Sequence, residues 1–215
     1  MGDISCSIPT PATCLICGPS MSGKTQMVLD MIRQRRKIFD PPLERVVYVY
    51  SDFQADFFTL QQHDSQVIFT NKLEEIDKLA SSNCLLVIDD YQDELVKGKF
   101  NELITRYFTK HAHHRAITVI LILQSVYAPG FRQINLNTQW MCIYDFPRDR
   151  SVIMSIAKQI CPGETAFLVD AYKKAVTDQE WGKLIIDLHP KHKTYKYWCR
   201  SDIFPTPDCQ VYAPK

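Results

Sequence analysis

The chain has no long apolar run. None approaches the ~20 residues a bilayer-spanning helix needs, so no membrane segment is expected. Its start, Met1-Gly2-Asp3-Ile4-Ser5, lacks the basic residues and apolar core of a secretory leader. The expected setting is therefore the interior of a cell. An excess of either charge is missing too: 25 Lys and Arg face 24 Asp and Glu, for a net charge of +1. Overall electrostatics thus do not announce a nucleic-acid partner, and any such contact needs a local patch. No repeat, low-complexity tract or linker divides the 215 residues. With 46% hydrophobic and 23% charged residues, the composition fits one soluble α/β domain over 1–215, with a core at about 10–190 and a final strand and Pro-containing tail at about 191–215.

Zinc-type ligand spacing is also lacking. Cys14 and Cys17 form a C-x-x-C, but they lie on an apolar stretch, where their odd offset sends them to opposite faces of a strand. Cys84 and Cys142 also sit in apolar runs, so the eight cysteines read as reduced, mostly buried thiols. His111, His113 and His114 have no partners at zinc spacing and read as a solvated helix end.

What is present is concentrated in a few motifs. Gly18-Pro19-Ser20-Met21-Ser22-Gly23-Lys24-Thr25 is a complete G-x-x-x-x-G-K-[ST] phosphate-binding loop. The apolar run 12–17 before it reads as a buried strand, and the spacing of Met27, Leu29, Met31 and Ile32 after it suits a helix packed on a sheet. Gly18 and Gly23 let the backbone approach phosphate oxygens, and the helix N-terminus adds about half a positive charge. Lys24 is placed to reach the β- and γ-phosphates of ATP, and Thr25 to offer its hydroxyl to Mg²⁺.

Cys84-Leu85-Leu86-Val87-Ile88-Asp89-Asp90 is an apolar strand ending in two carboxylates, the Walker B pattern. Its end falls at the carboxyl edge of an open α/β sheet, where ligands bind. Asp89 is the metal-side carboxylate, acting through water, since Mg²⁺ keeps several waters and takes few carboxylates. Asp90 faces the attacking water. A further apolar strand at 117–124 ends on Gln124 at the same edge, where an amide can orient water or sense the γ-phosphate.

Strands are also expected at 46–50, 67–69, 140–144, 184–188 and 194–198. Helices are expected to about Lys37, from a capping box at Asn71 and Glu74, through roughly 93–112, near 149–160 and near 164–176. Such alternation predicts a mostly parallel sheet with helices on both faces. Asn71-Lys72-Leu73-Glu74 differs from a guanine-reading N-K-x-D in its final Glu, and no D-x-x-G follows. No arginine-rich lid of a small-molecule kinase is visible.

The stretch Arg115 to Arg150, RAITVILILQSVYAPGFRQINLNTQWMCIYDFPRDR, resembles FtsK–HerA-superfamily ATPases, and most closely the genome-packaging ATPases of poxviruses, polintons and adintoviruses. The resemblance rests on a strand ending in Gln, a Pro-Gly break, Asn-Thr entering a hydrophobic strand, and Pro-Arg-Asp after it. Asp187-Leu188-His189-Pro190 and Arg200-Ser201-Asp202-Ile203-Phe204-Pro205 extend it, so that it covers Gly18 to Pro205.

That resemblance implies a RecA-like P-loop NTPase fold, ATP hydrolysis coupled to pumping double-stranded DNA into a capsid, and a homo-oligomeric ring. It also implies a capsid or portal partner and a site of action in the host cell, in a virus factory, nucleus or capsid. Lys24, Asp89, Asp90 and Gln124 take the roles already given. Arg115 falls where the superfamily places an arginine finger, with Arg106 in reserve, and Arg132 after the Pro-Gly break is a candidate DNA contact. One departure is Asp90, where cellular members mostly carry Glu. Arg115 lies a strand length, roughly 25 Å, from the sheet's carboxyl edge, so a finger role requires a neighbouring subunit. Two other classes stay open, a small-molecule P-loop kinase and a nucleotide-binding assembly protein without substantial turnover.

Overall fold

A run such as Cys84–Ile88 has no polar face, and a strand of that kind persists only where both faces are covered. The computed structural model, which describes residues 7–96, 98–177, 179–190, 199–204 and 209–214, meets that requirement with helices on each side of a sheet.

Strand β1 (Ile8–Pro9) precedes β2 (Thr13–Cys17), which leads into α1 (Lys24–Arg33) and a short α2 (Arg35–Ile38). β3 (Phe39–Asp40) pairs with β1 as a separate ribbon. β4 (Arg45–Tyr50), α3 (Ala55–His63) and β5 (Val67–Thr70) follow, then a 3₁₀ turn Leu73–Glu75, α4 (Ile76–Leu79) and β6 (Cys84–Asp89). The next helical region comprises α5 (Gln92–Val96), α6 (Lys99–Arg106), a π-helical turn Tyr107–His111 and α7 (Ala112–His114). β7 (Thr118–Leu123), α8 (Arg132–Leu136), β8 (Trp140–Tyr144), α9 (Ser151–Ile160) and α10 (Thr165–Thr177) lead to β9 (Lys183–Asp187), β10 (Cys199–Arg200) and β11 (Val211–Tyr212).

Among the described residues the main sheet runs β11-β10-β9-β8-β2-β7-β6-β4-β5. Pairing is parallel from β5 to β8, and antiparallel from β8 through β9 and β10 to β11. The expected α/β class with a mostly parallel sheet is therefore observed. β7 lies between β2 and β6, and this order sets the end of the Gln124 strand between the phosphate loop and the Asp89-Asp90 pair.

Alternation along each strand divides the core in two. Cys14 and Ile16 face the layer of α1, α2 and α3, whereas Leu15 and Cys17 face the layer that contains α6, α9 and α10. Cys14 and Cys17 thus point to opposite faces, as their spacing requires. Burial pushes the Cys17 and Cys142 thiols up to about 12, so both stay protonated.

Two local expectations are corrected. No side-chain capping box forms at Asn71. Thr70 acts instead, its hydroxyl accepting from the Lys72 N–H at 3.2 Å and donating to Glu75 at 3.1 Å, and the helix shrinks to two short turns. The helix over 93–112 is broken at Gly98, whose φ of 72 and ψ of −140 suit glycine alone, and again at the π-helical turn. α8, β10 and β11 carry too few residues to show a periodic pattern. The strand expected at 194–198, with Pro205 and Pro207 of the tail, lies outside the described residues. No helix among those described is long and apolar enough to cross a membrane.

Candidate nucleotide-binding site

The phosphate loop begins where β2 leaves the sheet. The Gly18 N–H donates to the Leu123 carbonyl at 3.3 Å, so the loop starts anchored to the end of β7. A Cβ on Gly18 would stand 2.6 Å from Cβ of Tyr144, and the loop can pass the end of β8 only because that atom is absent. Gly23, at φ +86, turns the chain into α1. The ammonium of Lys24 donates to the Gly18 and Pro19 carbonyls at 2.8 and 2.7 Å, leaving one of its three donors for an anion. Partial burial lowers its pKa, against the pull of the Cys17 thiol, Asp89 and Asp90.

Across the loop, the Thr25 hydroxyl donates to Oδ2 of Asp89 at 2.9 Å. The Tyr48 hydroxyl donates to the same oxygen at 2.6 Å. Asp89 is 6% exposed, and burial raises its pKa; the Tyr48 and Thr25 hydrogen bonds oppose that rise, Asp90 adds to it and Lys24 works against it. The Tyr48 phenol is pushed well up, first by burial and then by Asp89. One hydroxyl and one carboxylate, beside a lysine and an open loop, form a donor set suited to Mg²⁺, which takes few protein ligands and keeps waters and phosphate oxygens.

Asp90 is exposed and sits at φ 59, a left-handed conformation that Asp tolerates better than most residues. Its carboxylate accepts from the Gln124 amide at 2.9 Å. The backbone N–H groups of Gln124 and Ser125 in turn donate to Oε1 of Gln92, each at 3.0 Å, which holds the end of β7 against the start of α5. Lys24, Thr25, Asp89, Asp90 and Gln124 therefore line one recess of about 180 Å³, with Ser20 and Met21 of the loop, Tyr50 at the end of β4, and Ser51, Asp52 and Gln54 beyond it. Beside it, around Gly23, opens a wider cleft of about 820 Å³.

Arg115 is not brought there. It stands at the amino end of β7, its guanidinium donating to the Ala80 carbonyl at 2.9 Å and lying 3.5 Å from Asp77. Arg106 and Arg132 are exposed on α6 and at the start of α8. Sequence reasoning missed Tyr48 and Gln92. Tyr48 carried a faint signal as a buried-strand hydroxyl; Gln92 carried none, because its role arises only when separate segments meet.

No protein-family model and no curated protein sequence matches the chain. Solved structures do. The genome packaging NTPase B204 of Sulfolobus turreted icosahedral virus 2, in complex with ATP-gammaS, is 13% identical, covering 95% of this chain and 98% of that one at a TM-score of 0.56. B204 of Sulfolobus turreted icosahedral virus, a DNA-packaging ATPase, is 15% identical over 97% of this chain and 100% of that one, also at 0.56. The cytoplasmic domain of the type VII secretion ATPase EccC from Thermomonospora curvata is 13% identical, covering 81% of this chain and 24% of that one at 0.54. With these neighbours and its own sheet order, the chain has the RecA-like P-loop fold.

Proposed function

We propose that the chain hydrolyses ATP to drive double-stranded DNA through a homo-oligomeric ring, packaging a viral or mobile-element genome into a capsid inside the host cell. The observation that carries the catalytic half is the meeting of Lys24, Thr25, Asp89, Asp90 and Gln124 in one recess. Support for the packaging half is the likeness to B204 in fold and length, together with the motifs from Arg115 to Pro205.

In this reading the loop N–H groups and Lys24 hold the β- and γ-phosphates, and Thr25 and Asp89 hold Mg²⁺, which when bound neutralises charge on the phosphate oxygens. Asp90 accepts a proton from a water that attacks the γ-phosphorus, while the bond to the bridging oxygen breaks and ADP leaves. Asp is one methylene shorter than the usual Glu. Its φ of 59 and the 2.9 Å bond from Gln124 set where its carboxylate stands, and the same amide couples it to the end of β7. Arg115 lies at the far end of β7, so within the proposal it serves the phosphate of an adjacent subunit.

The test is the ATPase rate with and without double-stranded DNA, beside a measurement of oligomer size. DNA-stimulated turnover by a ring is expected. Tight ATP binding without turnover in any condition would instead mark a nucleotide-gated assembly protein, and a phosphorylated small molecule a kinase. Mixing decides the role of Arg115. Lys24→Ala and Arg115→Ala subunits, each inactive, are expected to regain activity when co-assembled; a mixed ring that stays inactive removes Arg115 from the trans role.

A further inference from the structure

The wide end of the cleft is untouched by the phosphate chemistry. It shares Met21, Lys24, Thr25 and Gln54 with the recess around Asp89, so the two are continuous. Its walls away from the phosphates carry Tyr144, Trp181, Lys183, Asp202 and Phe204.

Trp181 is held there by its neighbour. Gly182 passes so near the end of α10 that a Cβ would stand 2.6 Å from the Ala175 carbonyl oxygen and 2.7 Å from Cα of Val176. Trp181 itself is turned into the left-handed region, φ 59, where a bulky residue is a true outlier. Trp181 is 57% exposed, yet its indole lies over the loop, with two ring carbons 3.5 and 3.6 Å from where a Cβ on Gly23 would be. Folding gains little from an indole so placed, since much of its apolar area stays in water. In the same cleft Lys183 and Asp202 pair at 3.6 Å, their side chains only 12% and 21% exposed, so a donor and an acceptor stand side by side.

A flat aromatic group with a hydrogen-bonding edge, joined to phosphates, fits this arrangement. We propose that Trp181 is the platform on which the base of the bound nucleotide rests, and that the Lys183–Asp202 pair reads the edge of that base. The inference rests on the nucleotide reading of the phosphate loop. It adds the part that distinguishes a nucleoside triphosphate from bare triphosphate. Stacking accepts any base, because every base has a π-face. Selection falls to the ion pair: adenine sets an amino donor beside a ring-nitrogen acceptor, guanine a carbonyl acceptor beside N–H donors, and a fixed amine and carboxylate do not serve both equally.

Titration of the full chain with ATP, GTP and inorganic tripolyphosphate, each with Mg²⁺, tests this. Trp181→Ala is expected to weaken ATP about tenfold or more while tripolyphosphate stays within about twofold. Trp181→Phe, which keeps a ring, recovers most of the affinity. ATP quenches part of the tryptophan emission of the unaltered protein, tripolyphosphate does not, and that quench is lost in Trp181→Phe. Asp202→Asn changes the ratio of ATP to GTP affinity, which a purely structural role would leave constant. If Trp181→Ala weakens ATP and tripolyphosphate alike, or neither, the platform is overturned while the phosphate-loop reading stands. If the unaltered chain binds neither ligand, the nucleotide reading falls and this inference with it. An unchanged ATP to GTP ratio in Asp202→Asn overturns the edge-reading part.

Discussion

At its phosphate end the cleft is a net of short, direct bonds: Lys24 to two loop carbonyls, Thr25 and Tyr48 to one oxygen of Asp89, Gln124 to Asp90. At its base end it is an aromatic shelf and one partly buried ion pair, fixed by the close packing of Gly182 on α10. In the proposed reading the phosphate end binds a group that every nucleoside triphosphate shares, so its residues must stand at set positions and each bond counts. The base end in that reading binds a flat face, for which a ring at the right height is enough. The proposal therefore assigns affinity and chemistry to the first, and discrimination to the second.

The largest break in that division comes from Lys24→Ala. Lys24 carries the positive side chain aimed at the β- and γ-phosphates, and loop N–H groups cannot replace its charge. Hydrolysis is expected to fall about a hundredfold or more, the scale of losing one electrostatic stabiliser. Binding of ATP and tripolyphosphate falls together, the opposite of the pattern expected at Trp181. A near-normal rate would place the reaction elsewhere.

The two acidic residues sharpen the comparison within the phosphate end. Asp90→Asn keeps Mg²⁺ and ATP binding but slows turnover about a hundredfold, because an amide cannot take the proton. Asp89→Asn instead weakens Mg²⁺-dependent binding. Their effects on stability also differ. Burial raises the Asp89 carboxyl, so in the nucleotide-free protein its ionised form costs stability, and stability falls as pH rises from the ordinary carboxylate range through the raised value. Asn removes that cost while its oxygen still accepts from Tyr48 and Thr25. Asp89→Asn is therefore expected to melt higher than the unaltered chain at neutral pH, by about 2–4 °C if about 1 kcal/mol is recovered, whereas exposed Asp90→Asn leaves the melting point unchanged. Calorimetry without nucleotide checks both, and equal binding defects would end the division of labour.

The same contrast explains what could be read in advance. The phosphate loop is contiguous, and its glycines, lysine and threonine act through backbone geometry that a strand, turn and helix impose, so Gly18 to Thr25 were legible as a unit. Asp89, Asp90 and Gln124 were legible because apolar strands of matching length end on them, and a parallel sheet aligns strand ends at one edge. Tyr48 was hidden, since its hydroxyl meets Asp89 only once β4 lies beside β6. Trp181 was hidden more deeply. Its place depends on Gly182, on the end of α10 and on Gly23, three segments brought together by tertiary packing alone. Helix 93–112 failed at Gly98 for a related reason: apolar spacing carried on through a residue whose backbone conformation ends a helix.

The smallest expected effect belongs to Tyr48→Phe. The ring packs against Phe57 and Phe69, with centroids 5.1 and 5.3 Å away, and Phe keeps those contacts, so only the 2.6 Å bond to Asp89 is lost. That bond and the one from Thr25 act against the rise in the Asp89 pKa that burial causes. Without it the carboxyl rises further, and because Mg²⁺ binds the ionised form, proton competition begins at a higher pH. Mg²⁺-dependent nucleotide affinity at neutral pH is expected to fall about three- to tenfold, in keeping with about 1 kcal/mol for one hydrogen bond. The decisive readout is the pH profile of Mg²⁺-dependent binding: in Tyr48→Phe the loss on acidification moves to higher pH, whereas tripolyphosphate binding without Mg²⁺ stays as it was. If the profile does not move, Tyr48 only fills space beneath Asp89, and the carboxylate is held by Thr25 alone.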